Sequence, residues 1–301
     1  MWHRADLIAF EVAKDTMHTP AYLRHPTLHG DTIVFVSDDD LWQVGTVGGL
    51  ARRLTAGLSE PSTPSLSPDG KWLAFVGRDE QHPEVYLMPA EGGDARRMTW
   101  LGPDVMVRGW TPQGHILFVT THGQPFFRNY RAFTLDPAGG APQRVPLGQV
   151  NHLAYGPSGA LLIGRNTADP ARWKRYRGGT AGHLWIDADG TQQFRRMSEL
   201  KGNISSPMWL GARIYFLSDA EGMGNLYSCL PDGSGLRRHT DQADHYARHA
   251  QTDGRRVVYQ CGAELWLFDP AADRSAKVDV QIASHRTQIA RKFVPAADHL
   301  G

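Results

Sequence analysis

The chain has 301 residues, with 32 lysines and arginines against 31 aspartates and glutamates, and 41% of it is apolar. Near-zero net charge excludes a global pull on nucleic acid or acidic membranes. Nine Trp, nine Tyr and eleven Phe need burial and exclude a disordered chain. No apolar run approaches the roughly 20 residues of a membrane span. The 32 Gly and 19 Pro argue against a helical bundle and for a turn-rich β protein.

From Met1 to Pro20 the only apolar stretch is Leu7-Ile8-Ala9-Phe10, which Glu11 interrupts, and no small-residue cleavage site follows. The expectation is an N-terminal extension (1–20) without a secretory signal and a cytoplasmic location, where the sequon at Asn203 has no meaning. Cys229 and Cys261 show no metal-ligand spacing and read as buried free thiols.

A repeat then runs down the chain. Unit one passes from His25-Pro26 through Ile33–Val36 and Leu41-Trp42 to Arg52–Thr55. Unit two is the clearest: Pro64 to Gly70, Lys71–Val76, Glu84–Met88, Gly92-Gly93, then Ala95–Thr99. It reads strand, turn, strand, loop, strand, turn, strand, with Pro68-Asp69-Gly70 as a tight turn. Unit three has Trp110–Gly114, Ile116–Val119 and Ala132-Phe133; unit four has Tyr155–Gly159, Leu161–Ile163 and Leu184-Trp185. Unit five has Ile214–Leu217, Leu226-Tyr227 and Arg237-Arg238; unit six has Thr252–Gly254, Val257–Tyr259 and Leu265-Trp266. The third-strand aromatic falls at residues 42, 86, 133, 185, 227 and 266, intervals of 39 to 52. Blades of four strands take ~40–50 residues, and such sheets bury both faces only when arranged radially. The expectation is an all-β, six-bladed β-propeller over residues 21–284, four antiparallel strands per blade.

Unit one opens with its innermost strand near Tyr22, and unit six closes with an outer strand over Ala276–Ile282. Neither end has a strand to spare, so an open ring without strand exchange is expected, closed by packing alone and weakest at that seam. Residues 285–301 read as a linker and the cut-short start of a following domain.

In a propeller the first strand of each blade lines the channel. Segments 24–29, 62–67, 105–110, 150–155, 204–209 and 246–251 contain Arg24, His25, His29, Arg108, His152, Arg248 and His249, and no Asp or Glu. A bore rimmed by arginines without carboxylates favours an anionic group such as a peptide C-terminus; the alternative is that a loose alignment has gathered surface arginines. Catalytic motifs are not found. Gly156–Gly159 and Gly233–Gly235 are hairpin turns rather than a nucleophile elbow, Gly222–Tyr227 fails the dinucleotide pattern, and Asp38-Asp39-Asp40 reads as a turn rather than a calcium site. Fourteen histidines make some Ser/His/Asp triple inevitable on paper, which says nothing without geometry. No cofactor, metal or catalytic residue is assigned.

Unit four breaks the repeat. After Arg165-Asn166-Thr167 an insertion rich in cations and aromatics, Trp173-Lys174-Arg175-Tyr176-Arg177, precedes Leu184-Trp185. Such an insertion on a rigid scaffold reads as a contact surface for a domain, subunit or peptide; the alternative is a solvated loop with arginines stacked on Trp173 and Tyr176.

Those residues, with Gly178-Gly179-Thr180, Gly182 and Leu184-Trp185-Ile186, resemble the N-terminal six-bladed propeller of the tricorn protease family. His29-Gly30-Asp31, Asp39 to Trp42, Gln124-Pro125-Phe126, Ser206-Pro207 and Arg248 to Arg256 match as well, in order over about residues 22–301. The resemblance implies a serine peptidase that degrades oligopeptides in the cytoplasm as a homohexamer. It places this propeller as a non-catalytic channel or gate ahead of a second propeller, a PDZ domain and a catalytic domain. The family's catalytic Ser and His lie downstream, so no residue here inherits that role. One departure stands out: the archaeal pattern holds the substrate carboxylate with an arginine pair ahead of the third inner strand, and Thr99 to Val107 offers none. Arg108, Arg128 and Arg131 are the nearby candidates. Two other readings remain: a free-standing TolB-like propeller that binds proteins or peptides, and a propeller lyase using His25, His152 and His249 as metal ligands.

Overall fold

In the computed structural model the described residues are 21–284, apart from 58–59, 80, 127, 168, 170–173 and 198–199. The expected N-terminal extension, the linker at 285–301 and Trp173 lie outside them. Six four-stranded antiparallel sheets follow one another, each taking its strands from consecutive chain. They form a six-bladed β-propeller in which no blade borrows a strand.

The inner strands are Arg24–His29, Ser62–Leu66, Val105–Trp110, His152–Tyr155, Ile204–Leu210 and Ala247–Thr252. They match the six expected segments to within a few residues. Second strands such as Thr32–Ser37 and Val257–Cys261 are buried on both faces. A blade is covered by neighbours on both sides, so these strands read as continuous apolar runs rather than alternating ones. The repeating aromatic pairs across the sheet with a second-strand residue: Phe35 with Trp42, Phe75 with Tyr86, Phe118 with Phe133, Phe216 with Tyr227 and Tyr259 with Trp266. In blade four the partner of Trp185 is Ile163.

A buried polar network recurs at the outer edge. Thr55 donates to Asp40 (2.8 Å) and accepts from the Leu41 amide. Thr99 and Glu84 repeat this in blade two, and Thr240 and Asn225 in blade five. In blades one and two an arginine closes the network, Arg53 on Asp40 and Arg97 on Glu84. The Arg-Arg-x-Thr ends of the units are therefore structural.

The seam departs from expectation. The outer strand of blade six is Arg274–Val278, and the chain then forms a short parallel pair, Val280–Gln281 against Gly49–Leu50 of blade one. The Gly49 and Ala51 amides donate to the Asp279 and Gln281 carbonyls, each at 2.8 Å. Gly48 (φ +86°) permits the approach, because a Cβ there would lie 2.4 Å from the Asp279 oxygen. Beneath lies a core of eleven buried residues including Leu28, Phe35, Trp42, Val258, Leu265 and Val278. The junction of blades three and four has seven. Packing is thus joined by a hydrogen-bonded clasp, and the seam is not the thinnest junction. No helix among the described residues is long and apolar enough to cross a membrane.

Candidate functional site in the central bore

Five of the six inner strands carry a β-bulge at one height. The ladder slips between Arg24 and Thr27, Ser62 and Ser65, Val107 and Gly109, Ser205 and Met208, and Arg248 and Gln251. At four of them a non-glycine residue takes positive φ: His25 (49°), Thr63 (44°), Ser206 (47°) and His249 (50°); in blade three Gly109 does so. Each such residue costs about 1 kcal/mol or more. The bulge turns a side chain that would lie on a blade face toward the axis, which brings His25 and His249 together with ring centroids 4.0 Å apart. The strand of blade four runs in register without a bulge.

These side chains line a cavity of about 630 Å³, with Arg108, His152 and Asp169 also on its wall. Burial, then neighbouring charge, lowers all three histidine pKa values. His249 falls to about 3 under burial and then Arg248, Arg108 and Arg24; His25 under burial, His249 and then the same arginines; His152 under burial, Arg108 and His249. At neutral pH the histidines are uncharged and the arginines alone supply positive charge. Arg108 is half-buried on the cavity wall. Its Nη2 touches Met106 Sδ (3.0 Å), and its buried Nε has no hydrogen-bond partner. Burial lowers its pKa to about 10, which leaves it charged.

The expected bore without carboxylates is corrected here. Arg24 pairs with Asp39 (3.2 Å) and Arg248 with Asp169, Nε to Oδ2 at 2.5 Å. Both acids come from turns or loops rather than inner strands, so comparing inner strands alone missed them. Arg108 has no such ion pair among the described residues, although Asp104, also on the cavity wall, is near enough to favour its charged form. Arg24 and Arg248, turned to those acids, are not among the residues on the cavity wall, and neither are Arg128, which is exposed, and Arg131, at the head of a third strand. Among the described residues no three His, Cys, Asp or Glu side chains form a group that could hold a metal. His152 is instead tied to Thr167 (Nδ1 to Oγ1, 2.8 Å).

Described residues at the two ends of the unit-four insertion contact their own ring. The Arg165 guanidinium covers Trp185 (5.1 Å), Lys174 lies over Tyr246 (5.3 Å), and the Arg175 amide donates to Asp219 (2.6 Å). Tyr176 accepts from Thr180, and Arg177 is exposed.

Residues 20–274 match the family described as tricorn protease N-terminal beta propeller domain. The chain belongs to the tricorn protease family. It is 44% identical over 285 residues to tricorn protease homolog 1 of Streptomyces coelicolor, covering 94% of this chain and 27% of that one. To the tricorn protease homolog of Saccharolobus solfataricus it is 36% identical over 288 residues, with the same coverage. The crystal structure of the tricorn protease superposes with a TM-score of 0.82 at 32% identity, over 87% of this chain and 26% of that one. The chain thus spans about a quarter of these tricorn relatives.

One Ser-His-Asp arrangement does form in this tricorn propeller. His239 Nε2 lies 2.7 Å from Ser228 Oγ, and His239 Nδ1 lies 2.5 Å from Asp273. Ser228 is fully buried, accepts from Arg213 Nε (2.8 Å), and sits where His239 packs on Tyr215 and Phe268. A nucleophile needs access to substrate, and Ser228 has none, so this triple is a packing contact that reaches from a buried serine to the exposed Asp273. Cys229 and Cys261 are buried thiols, raised by burial to about 11 and correspondingly inert.

Proposed function

We propose that this propeller is a non-catalytic channel or gate of a tricorn-like serine peptidase, and that its bore contacts the free C-terminal carboxylate of passing oligopeptides. The observation that carries the reading is Arg108, a charged guanidinium on the cavity wall whose Nε lacks a partner. A buried guanidinium Nε–H left without an acceptor is costly, and a carboxylate is a ligand that would relieve it. The neutral histidines around it add hydrogen-bonding capacity without repelling or neutralising that ligand.

The chemistry of bond cleavage belongs, on this reading, to downstream domains of a longer polypeptide that assembles as a cytoplasmic homohexamer. The exposed segment around Arg177, with Arg165 and Lys174 to Tyr176 at its base, is the proposed face toward those domains.

Calorimetry with a hexapeptide as free acid and as C-terminal amide tests the bore. The free acid is expected to bind more tightly, and Arg108→Gln to remove most of that preference. Equal loss of both ligands in Arg108→Gln would overturn the carboxylate reading.

A further inference from the structure

Asp169 comes from blade four, yet its carboxylate pairs with Arg248 of blade six, 79 residues along the chain. It also lies 3.9 Å from His249 Nε2 and is on the cavity wall. No inner strand supplies an acid, so this side chain meets the cations of the bore as a ligand carboxylate would.

The placement is built rather than incidental. Two residues earlier, Thr167 is buried and bonded to His152. Its space is set by two glycines: a Cβ on Gly164 would lie 2.5 Å from Thr167 Oγ1, and one on Gly182 would lie 2.7 Å from the Ile204 carbonyl oxygen and 3.2 Å from Thr167 Cα. The adjoining Asn166 has positive φ (54°) and is held by Asn151 on its amide (2.7 Å) and by Gln149 on its side chain (3.1 Å). Residues 164–167 are therefore fixed in place just ahead of Asp169.

We propose that Asp169 is an internal competitor for the carboxylate seat of the bore: it neutralises Arg248 in the unliganded ring, and an incoming C-terminal carboxylate must displace it. The inference rests on the carboxylate reading above. It gives the channel a threshold, since Asp169 is on the cavity wall and Arg248 is not, so that a ligand carboxylate gains Arg248 as well as Arg108 only by taking the place of Asp169. A neutral or amidated peptide end has no charge with which to compete.

The test is Asp169→Asn, with binding of free-acid and amidated hexapeptides measured by calorimetry for wild type, D169N and D169N/R248Q. D169N is expected to tighten free-acid binding about tenfold, a scale set by close charge pairs, and to leave the amide unchanged. R248Q in the same chain should abolish the gain. Acid preference in wild type without a gain in D169N would overturn this proposal alone. Acid preference in neither protein would overturn the carboxylate reading and this proposal with it. Asp169→Ser serves as a second removal of the charge should D169N fail to fold, and the same gain is required of it.

Discussion

Blade four and the other five blades solve one geometric problem in different ways. Five blades reach the axis by bending the inner strand itself, four of them at the cost of a non-glycine residue with positive φ at the bulge and blade three with Gly109. Blade four keeps its strand regular and reaches the axis with a loop. It also lacks the aromatic pair, with Ile163 opposite Trp185, and where blades one and two bury Asp40 and Glu84 it has His183 facing Arg196. A bulged strand can turn inward only the side chains that the strand itself carries. A loop can present a carboxylate that the inner strands exclude, so the blade that departs from the repeat is the one that gives Arg248 its counter-charge.

The largest expected effect separates the two kinds of third strand. Glu84→Ala leaves Arg97 and Thr99 without their shared acceptor and is expected to cost about 3 kcal/mol in urea unfolding. His183→Ala, at the matching place in blade four, should cost under about 1 kcal/mol; similar losses would erase the contrast.

A middle-sized effect concerns acid. A histidine whose folded pKa lies below its unfolded value favours folding above about pH 6.5 and opposes it as pH falls toward the folded value. With His249 lowered to about 3, stability at pH 5 should be about 2 kcal/mol lower on its account, and His249→Gln should flatten the profile between pH 6.5 and 4. An unchanged slope in that variant would place the acid sensitivity elsewhere.

The smallest effect has opposite signs in the two settings. Ser206→Gly relieves a left-handed residue at a bulge and should stabilise by about 1 kcal/mol. Ala154→Gly in the unbulged strand of blade four should destabilise by about 0.5–1 kcal/mol. Melting curves with the same sign for both would show that the bulges are not strained.

Much of the fold was legible because a blade is a local unit. Turn residues such as Pro68-Asp69-Gly70 and the aromatics at 42 to 266 report strands that pair with their chain neighbours, so the pattern survives without knowledge of the ring. The inner-strand residues His25, Arg108, His152 and His249 could be placed on one cavity on the same ground, with Arg24 and Arg248 close to His249 but off the wall. What could not be read was pairing across the ring. Arg24–Asp39 joins a strand to a turn, and Arg248–Asp169 joins blade six to blade four. Arg128 and Arg131 were near in sequence to the third inner strand yet lie off the cavity wall, because proximity along a strand does not set side-chain direction.

By itself, then, the amino-acid order determined six repeats, their strand phase and the open ring, all of which rest on short-range periodicity, while the family rested on a resemblance of motifs. Tertiary structure alone decided which arginines are neutralised, that Arg108 Nε is left without a partner, that the seam closes with Val280–Gln281 on Gly49–Leu50, and that Ser228, His239 and Asp273 meet with the serine fully buried. The physical reason is common to all four: electrostatic pairing and access depend on distance in space, and a ring brings together residues that the chain holds far apart.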